Sequence, residues 1–347
     1  MEDWGSMGKI VSSLLVVALG IAVFVAALAA LYWLASRLKE PWRERARVAV
    51  FVGPALLLLL GLIIPAILNF RYGFYTKELV TLEDGTRRTV DKFVWFENYS
   101  EIFTNPANVK VLTNTLWWGI IVTSVSTFIG IVIARFADRM RGEPIAKALI
   151  FLPTAISLVG AGVIWNFVYS PRDYGLLNSL YQLLPGEQQT QFFLQDSKLF
   201  GIQNEWVPGL NTLLIMVVII WIQAGFSTVV ISAALKGVPD DLVEAAKIDG
   251  ATDRQAFMRV VLPYIKGTII TVMTTTVLAV LKIFDIIQTM GKGGAFGTST
   301  IANEMYEQAF PQNNEGLGAA WAVLLFLAVA PIVYVNARNQ RAMREAG

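Results

Sequence analysis

Long uncharged apolar runs alternate with shorter polar segments along the chain. Six runs carry no charged residue: Ile10–Ser36, Val48–Phe70, Val111–Ala134, Ala148–Pro171, Trp206–Leu235 and Gly316–Ala337. A seventh, Gly267–Met290, is interrupted only by Lys282 and Asp285. A helix crossing a bilayer needs about 20 such residues. The pattern predicts an all-α integral membrane protein with seven transmembrane helices. Loops make up the rest, which leaves no room for a large separate soluble domain.

Between the runs, two outer loops and one inner loop carry further signals. Glu83-Asp84-Gly85-Thr86 is a turn signal between Leu79-Val80 and Thr89-Val90, which predicts a small hairpin. The aromatic stretch Phe93–Tyr99 reads as an interfacial belt, with rings at headgroup depth. The loop from Ser170 to Pro208 has turn residues at Pro171, Gly175, Pro185-Gly186 and Gly201.

The most informative loop is Lys236–Lys266. Pro239 stands where a helix accepts proline in its first turn. Asp240 and Asp241 follow, favourable beside the positive end of the helix dipole. Gly250 supplies a stop. Thr252 and Gln255 have capping-box spacing, and Pro263 ends the second segment. Two short helices of about 10 residues, or ~15 Å each, are expected. They are too short and too charged to cross a membrane, so they should lie along its surface. On the first, Leu242, Ala245, Ala246 and Asp249 share a side at spacings of three and four. Surface helices that lie on lipid present Lys and Arg on one face and bulky residues on the other. This one is acidic and alanine-centred, which suits docking against protein.

Composition narrows the chemistry. Of 347 residues, 55% are hydrophobic and 16% charged, with mean hydropathy +0.56, far from soluble-domain values. Cysteine and histidine are absent. That removes disulfides, thiolate nucleophiles, cysteine metal sites and the usual proton carrier near neutral pH, and no metal site is expected.

Charge also sets an orientation. With the N-terminus outside, the inner segments Arg37–Arg47, Arg135–Lys147, Lys236–Lys266 and Arg338–Gly347 hold 17 Lys and Arg, whereas the longer outer segments hold 10. Positive charge collects in cytoplasmic loops, so the expected order is N-terminus out, C-terminus cytoplasmic. The first run could be a cleaved signal peptide. Its length, and Glu2 and Asp3 ahead of Lys9, favour an uncleaved helix.

Glu244-Ala245-Ala246, Asp249-Gly250-Ala251, and Val260-x-Leu262-Pro263 resemble the EAA loop of binding-protein-dependent ABC import permeases, with Val260 in place of the usual Ile. The resemblance extends over about 48–340. Pro153, the Ser157–Asn166 stretch with Trp165, Gly175-Leu176-Leu177-Asn178, Phe284-Asp285 and Gly293-Gly294 resemble carbohydrate-type permeases. The runs over 148–169 and 218–235 are most similar to α-glucoside-type members of the maltose-permease superfamily.

The resemblance implies an organisation of 1–47 as an extra N-terminal transmembrane helix with its basic cytoplasmic loop, 48–340 as a six-helix permease core, and 236–266 as the coupling loop. It implies these partners: a homologous second permease, two ABC ATPases carrying ATP and Mg, an extracytoplasmic sugar-binding protein, a carbohydrate substrate and membrane lipid. No cofactor is expected in this chain and no nucleic acid. No G-x-x-x-x-G-K-[ST] occurs, so ATP hydrolysis is expected in a separate subunit.

By position before and after the EAA loop, Trp221, Ile222, Gln223 and Phe226, and Thr276, Val280 and Ile283, match places where maltose-type permeases contact substrate. Val280 and Ile283 are apolar where amides would be usual. Trp221 and Phe226 read equally as helix packing. Lys282 and Asp285 are three apart on one face and could neutralise each other, a structural pair beside the pathway.

Three rivals compete with the importer reading. One is a secondary solute carrier without an ATPase, which would carry more intramembrane charge. Another is a membrane enzyme, which would need a carboxylate cluster where only Asp285 stands. The last is a scaffold whose surface helix recruits partners without transport.

Overall fold

A computed structural model describes residues 3–81, 87–138, 140–172, 174–183, 193–199, 201–202 and 204–346, with side chains described from 15 to 341. The chain forms two compact units, Met1–Leu68 and Asn69–Gly347. The first holds α1 (Asp3–Ser36) and most of α2 (Trp42–Tyr72). Over 15–34 in α1 and 48–70 in α2 the helices are apolar and mostly exposed, and α2 buries no residue. A helix apolar on all sides needs an apolar solvent. Pro54 and Pro65 lie within α2. Transmembrane helices tolerate such interruptions.

The second unit opens with a hairpin. Strand β1 (Tyr75–Thr81) pairs antiparallel with β2 (Arg87–Phe93) in a register that sets Leu79 opposite Thr89 and Val80 opposite Arg88. The expected hairpin is therefore present, and its turn, 83–86, lies outside the described residues. The aromatic stretch is more than an interfacial belt. The Phe74 ring packs against Phe93, Phe96 and Tyr99 at centroid distances of 6.5, 5.4 and 5.4 Å. Burial in this cluster pushes the Tyr99 phenol above its usual range.

Helix α3 (Glu97–Thr104) follows, with Asn98 buried and its amide donating to the carbonyls of Gly73 (3.0 Å) and Tyr75 (2.9 Å). Next come α4 (Pro106–Trp117), a π-helical turn over Trp118–Val122 and α5 (Thr123–Ala137), which together make one 32-residue span. Helix α6 (Glu143–Phe151), a 3₁₀ turn at Leu152–Ala155 and α7 (Leu158–Val168) form a pair bent by 99°. The expected straight span over 148–171 is thus sharply bent. Ile156 is extended at the break, and the Ser157 hydroxyl restarts the helix by accepting from the Gly160 amide at 3.0 Å.

The short α8 (Leu176–Tyr181) precedes α9 (Leu210–Lys236), α10 (Asp240–Ile248) and α11 (Asp253–Ala256). A second π-helical turn, Phe257–Val261, joins α11 to α12 (Leu262–Tyr264), and α13 (Lys266–Leu281) leaves this segment at 66°. Pro263 has no N–H to give to the fourth carbonyl before it. The helix widens just upstream, where the Leu262 amide reaches back five residues to the Phe257 carbonyl. The last elements are α14 (Asp285–Met290), α15 (Ile301–Ala309) and α16 (Glu315–Ala346).

The seventh run does not form one span. Helix α13 stops at Leu281, and Phe284 leaves helical geometry (φ −136°, ψ −58°) before α14 begins. The Ile283 carbonyl accepts the Thr300 hydroxyl at 3.0 Å instead of continuing a ladder. Among the described residues, five helices are long and apolar enough to cross a membrane, and the two bent pairs bring the number to seven.

Small residues set the closest packing. A Cβ at Gly130 on α5 would lie 2.5 Å from Ser227 Cβ on α9, and buried Ser126, Thr127, Ala134 and Thr228 extend this seam. Small faces let helix backbones approach without a hydrophobic driving force in lipid. The main core gathers where α7, α9 and α14 meet, around Ile215, Ile219, Ile286 and Ile287.

The hairpin is fixed to α16. Lys77 Nζ lies 2.6 Å from Glu315 Oε1, and a Cβ at Gly316 would sit 1.8 Å from the Tyr75 carbonyl oxygen. Gly316→Ala should therefore detach the hairpin, at a cost of about 2 kcal/mol. Limited trypsin digestion measures it: cleavage at Lys77 and Arg87 should accelerate, and an unchanged rate would refute the close approach.

Candidate functional site

The loop from Gly237 to Tyr264 is built from local signals. Pro239 caps α10 with extended backbone (φ −60°, ψ 132°), and Asp240 and Asp241 fill the first turn. Gly250 adopts φ +87°, the left-handed region that side chains avoid. The Ala251 amide donates to the Ala246 carbonyl and the Gly250 amide to that of Lys247, both at 3.0 Å, the pattern of a glycine-terminated helix. The Thr252–Gln255 capping box closes in both directions, at 2.8 and 3.3 Å. Lys247 pairs with Asp253 across the joint at 3.0 Å.

None of the residues of α10 is buried. Glu244, Ala245 and Asp249 are exposed and Ala246 is half-buried. Leu242 and Ile248 are 41% and 86% exposed. Leu262 and Pro263, in contrast, belong to the next helical segment, where Ala256, Val261 and Ile265 are buried. The Arg135 guanidinium at the end of α5 sits 3.8 Å above the Phe257 ring and ties this segment to the bundle. The result is a rigid, capped, uncovered helix mounted on a packed base.

Sequence reasoning missed a charge cluster beside this mount. Lys147 Nζ lies 2.5 Å from both Asp138 Oδ1 and Glu143 Oε1, and Glu143 also pairs with Lys236. The Ser232 hydroxyl accepts from Lys147 and donates to Asp138 at 2.6 Å. Asp138 and Lys147 side chains are only 16% exposed. The cluster joins the ends of α5, α6 and α9, and α9 leads into α10 through three residues. Its only signal in the sequence is the Glu143–Lys147 spacing of four. Lys147→Met leaves Asp138 without an ion-pair partner among the described residues, so the thermal midpoint of the detergent-solubilised protein should fall by about 5 °C. Asp138→Asn in the same chain should restore part of the loss, and independent, additive effects would show the contacts to be uncoupled.

The seven positions expected on the substrate path do not share one environment. Ile222, Val280 and Ile283 are brought together, but within the main core at 7%, 1% and 4% exposure. Thr276 is also buried, and its hydroxyl has no hydrogen-bond partner among the described residues. Gln223 and Phe226 are half-buried, Phe226 against the cluster of Ala134, Ile231, Ile265 and Val272. Trp221 is 39% exposed, and its ring meets Trp165 edge-on at 5.8 Å. Trp165 in turn lies 5.3 Å from Tyr169. Tyr169 borders a polar cavity of about 310 Å³ that Asn166, Arg172, Gln195, Thr289 and Lys292 also line. This aromatic ladder was not expected from spacing, because Trp165 and Trp221 are far apart in sequence.

Lys282 and Asp285 do not form the expected ion pair among the described residues. Lys282 ends α13, Asp285 begins α14, and both are exposed. The change in backbone direction at Phe284 removes the shared face that their spacing would give within one helix. Beyond α14, Gly293 and Gly294 take φ of +69° and +91°. Their loop is held by amides: Asn303 donates to the Gly293 carbonyl at 3.1 Å, Asn114 to that of Gly297 at 2.7 Å, and Asn211 to that of Phe296 at 3.0 Å.

The model of the family described as "Binding-protein-dependent transport system inner membrane component" matches residues 126–344. The chain is 38% identical over 302 residues to the osmoprotective compounds uptake permease GgtC of Synechocystis, covering 85% of this chain and 99% of the relative. It is 41% identical over 261 residues to the α-glucoside transport permease AglF of Rhizobium meliloti, covering 74% and 73%. It shares its fold with a chain of a bacterial ABC transporter that imports the acidic polysaccharide alginate, with a TM-score of 0.66, 18% identity, and coverage of 87% of this chain and 99% of that one. The matched region contains the capped α10 loop and the bent α11–α13 segment, and the chain belongs to the family of binding-protein-dependent transport system inner membrane components.

Proposed function

We propose that the chain is one of two permease subunits of an ABC importer for a carbohydrate, an α-glucoside or an oligosaccharide. The single observation that carries the coupling role is α10, a capped helix that buries none of its own residues and offers Glu244, Ala245 and Ala246 to a partner. Two ATPase subunits would grip it from the cytoplasm. ATP binding would close the pair, tilt the helices mounted on the Asp138–Lys147 cluster and switch the access of the site between the two sides. The ATPases drive this only if they bind the two states with different affinity. The N-terminus would lie outside and the C-terminus in the cytoplasm. ATP and Mg belong to the partner subunits, and a binding protein would deliver the sugar.

The carbohydrate assignment is supported by the likeness to a permease named for α-glucosides and by the Trp221–Trp165–Tyr169 ladder. Sugar sites combine aromatic faces with a few polar groups. Trp221→Ala should raise the KM of uptake about tenfold with kcat less affected, the signature of lost uniform binding. An unchanged KM would return Trp221 to plain packing.

The deciding experiment is co-purification with the ATPase and the binding protein, followed by a screen for sugars that stimulate ATP hydrolysis in vesicles. Stimulation by an α-glucoside supports the reading. Uptake by the purified chain alone, without ATP, would replace it with a secondary carrier.

A further inference from the structure

We propose that the turn between α1 and α2 is a headgroup site for one anionic phospholipid. The segment Arg37–Arg47 carries Arg37, Lys39, Arg43, Arg45 and Arg47 against Glu40 and Glu44 alone. Three of the guanidinium groups are held on rings: Arg37 over Trp33 at 4.5 Å, Arg45 over Trp42 at 5.5 Å, and Arg47 over Tyr32 at 5.4 Å. Stacking occupies the flat face of a guanidinium and leaves its N–H edge free for a two-point acceptor such as phosphate.

The acceptors within the segment do not match these donors. Glu40 is taken by Arg43, and among the described residues Glu44 makes no ion pair. The Nε groups of Arg43 and Arg47 are shielded from solvent and have no hydrogen-bond acceptor among the described residues. Both N–H groups are therefore available to an outside acceptor. Glu44, Arg45, Arg47 and Val48 border an open hollow of about 610 Å³.

Lipid is the occupant that suits the surroundings. Both helices are apolar from this turn onward and expose Leu31, Leu34, Val48 and Phe51, a surface suited to acyl chains. Trp33, Trp42 and Tyr32 mark the depth at which interfacial rings sit. The excess of cations selects an anionic over a zwitterionic headgroup. The site gives the first unit of the chain a role that transport does not assign to it.

The test is lipid retention by the full-length protein, purified from membranes and examined by native mass spectrometry, then in nanodiscs of mixed phosphatidylglycerol and phosphatidylcholine. The wild type should retain phosphatidylglycerol about tenfold over phosphatidylcholine. Arg37→Lys, Arg45→Lys and Arg47→Lys combined keeps the charge that directs insertion but removes the stacked forks. It should lose most of that preference, about fivefold or more. If the triple variant fails to insert, Arg47→Lys alone serves the same comparison. Equal retention of the two lipids, or a Lys variant matching the wild type, would overturn the site. Displacement of the lipid by millimolar inorganic phosphate would overturn it in favour of a free-anion site.

Discussion

Gly250→Val should abolish sugar-stimulated ATP hydrolysis and uptake, by about tenfold or more, while the chain still inserts and folds. Gly250 has φ +87°, and a β-branched residue held there costs about 1–3 kcal/mol. A Cβ at this position meets nothing within 4 Å, so the core does not register the change. The strain and the added bulk fall on the end of α10, where the proposed ATPase grips. Glu244→Lys should have the same phenotype by a different cause, reversing charge on an exposed face without altering the backbone. Vesicle uptake and ATP hydrolysis are measured together with the thermal midpoint of the isolated chain. Full uptake in both variants would remove the coupling role from α10. A large fall in the midpoint of Glu244→Lys would instead make the helix part of the fold.

The second large effect is expected in the bundle. Gly225→Val should destabilise the protein by about 3 kcal/mol and lower its yield in membranes. A Cβ at Gly225 on α9 would lie 2.4 Å from the Ile150 carbonyl oxygen and 3.2 Å from the Phe151 Cα, so it meets backbone and not a side chain that can turn away. Helices α6 and α9 would have to separate at the point where the chain prepares its 99° bend. Gly237→Ala is the control, since a Cβ there finds its nearest neighbour at 3.4 Å. Equal thermal midpoints for the two variants would show that α6 and α9 can part without penalty.

Local signals were the most legible in the sequence. The Thr252–Gln255 capping box, the Gly250 stop and the hairpin between Leu79-Val80 and Thr89-Val90 depend on residues within a few positions of each other, or on one turn. The apolar runs were legible for the same reason, because a bilayer reads length and composition. What was not legible depends on distant partners. Helix α13 stops at Leu281 partly because Thr300, seventeen residues on from Ile283, takes the carbonyl a longer helix would have used. Asp138, Lys147, Ser232 and Lys236 meet only after three helices have packed. Val280 and Ile283 were expected on the pathway by their distance from the loop before them, and their burial in the main core depends on helices far away in the chain. The family resemblance pointed to the positions and left their surroundings open.

The self-contained ends of α10 have an evolutionary consequence. Pro239 opens it, Gly250 closes it, Thr252 starts the next segment, and no side chain between them enters the interior. A stretch so bounded behaves as a cassette: paralogues can trade it without rebuilding anything around it. Under the proposed coupling role, the choice of engine and the choice of cargo would then diverge at separate rates.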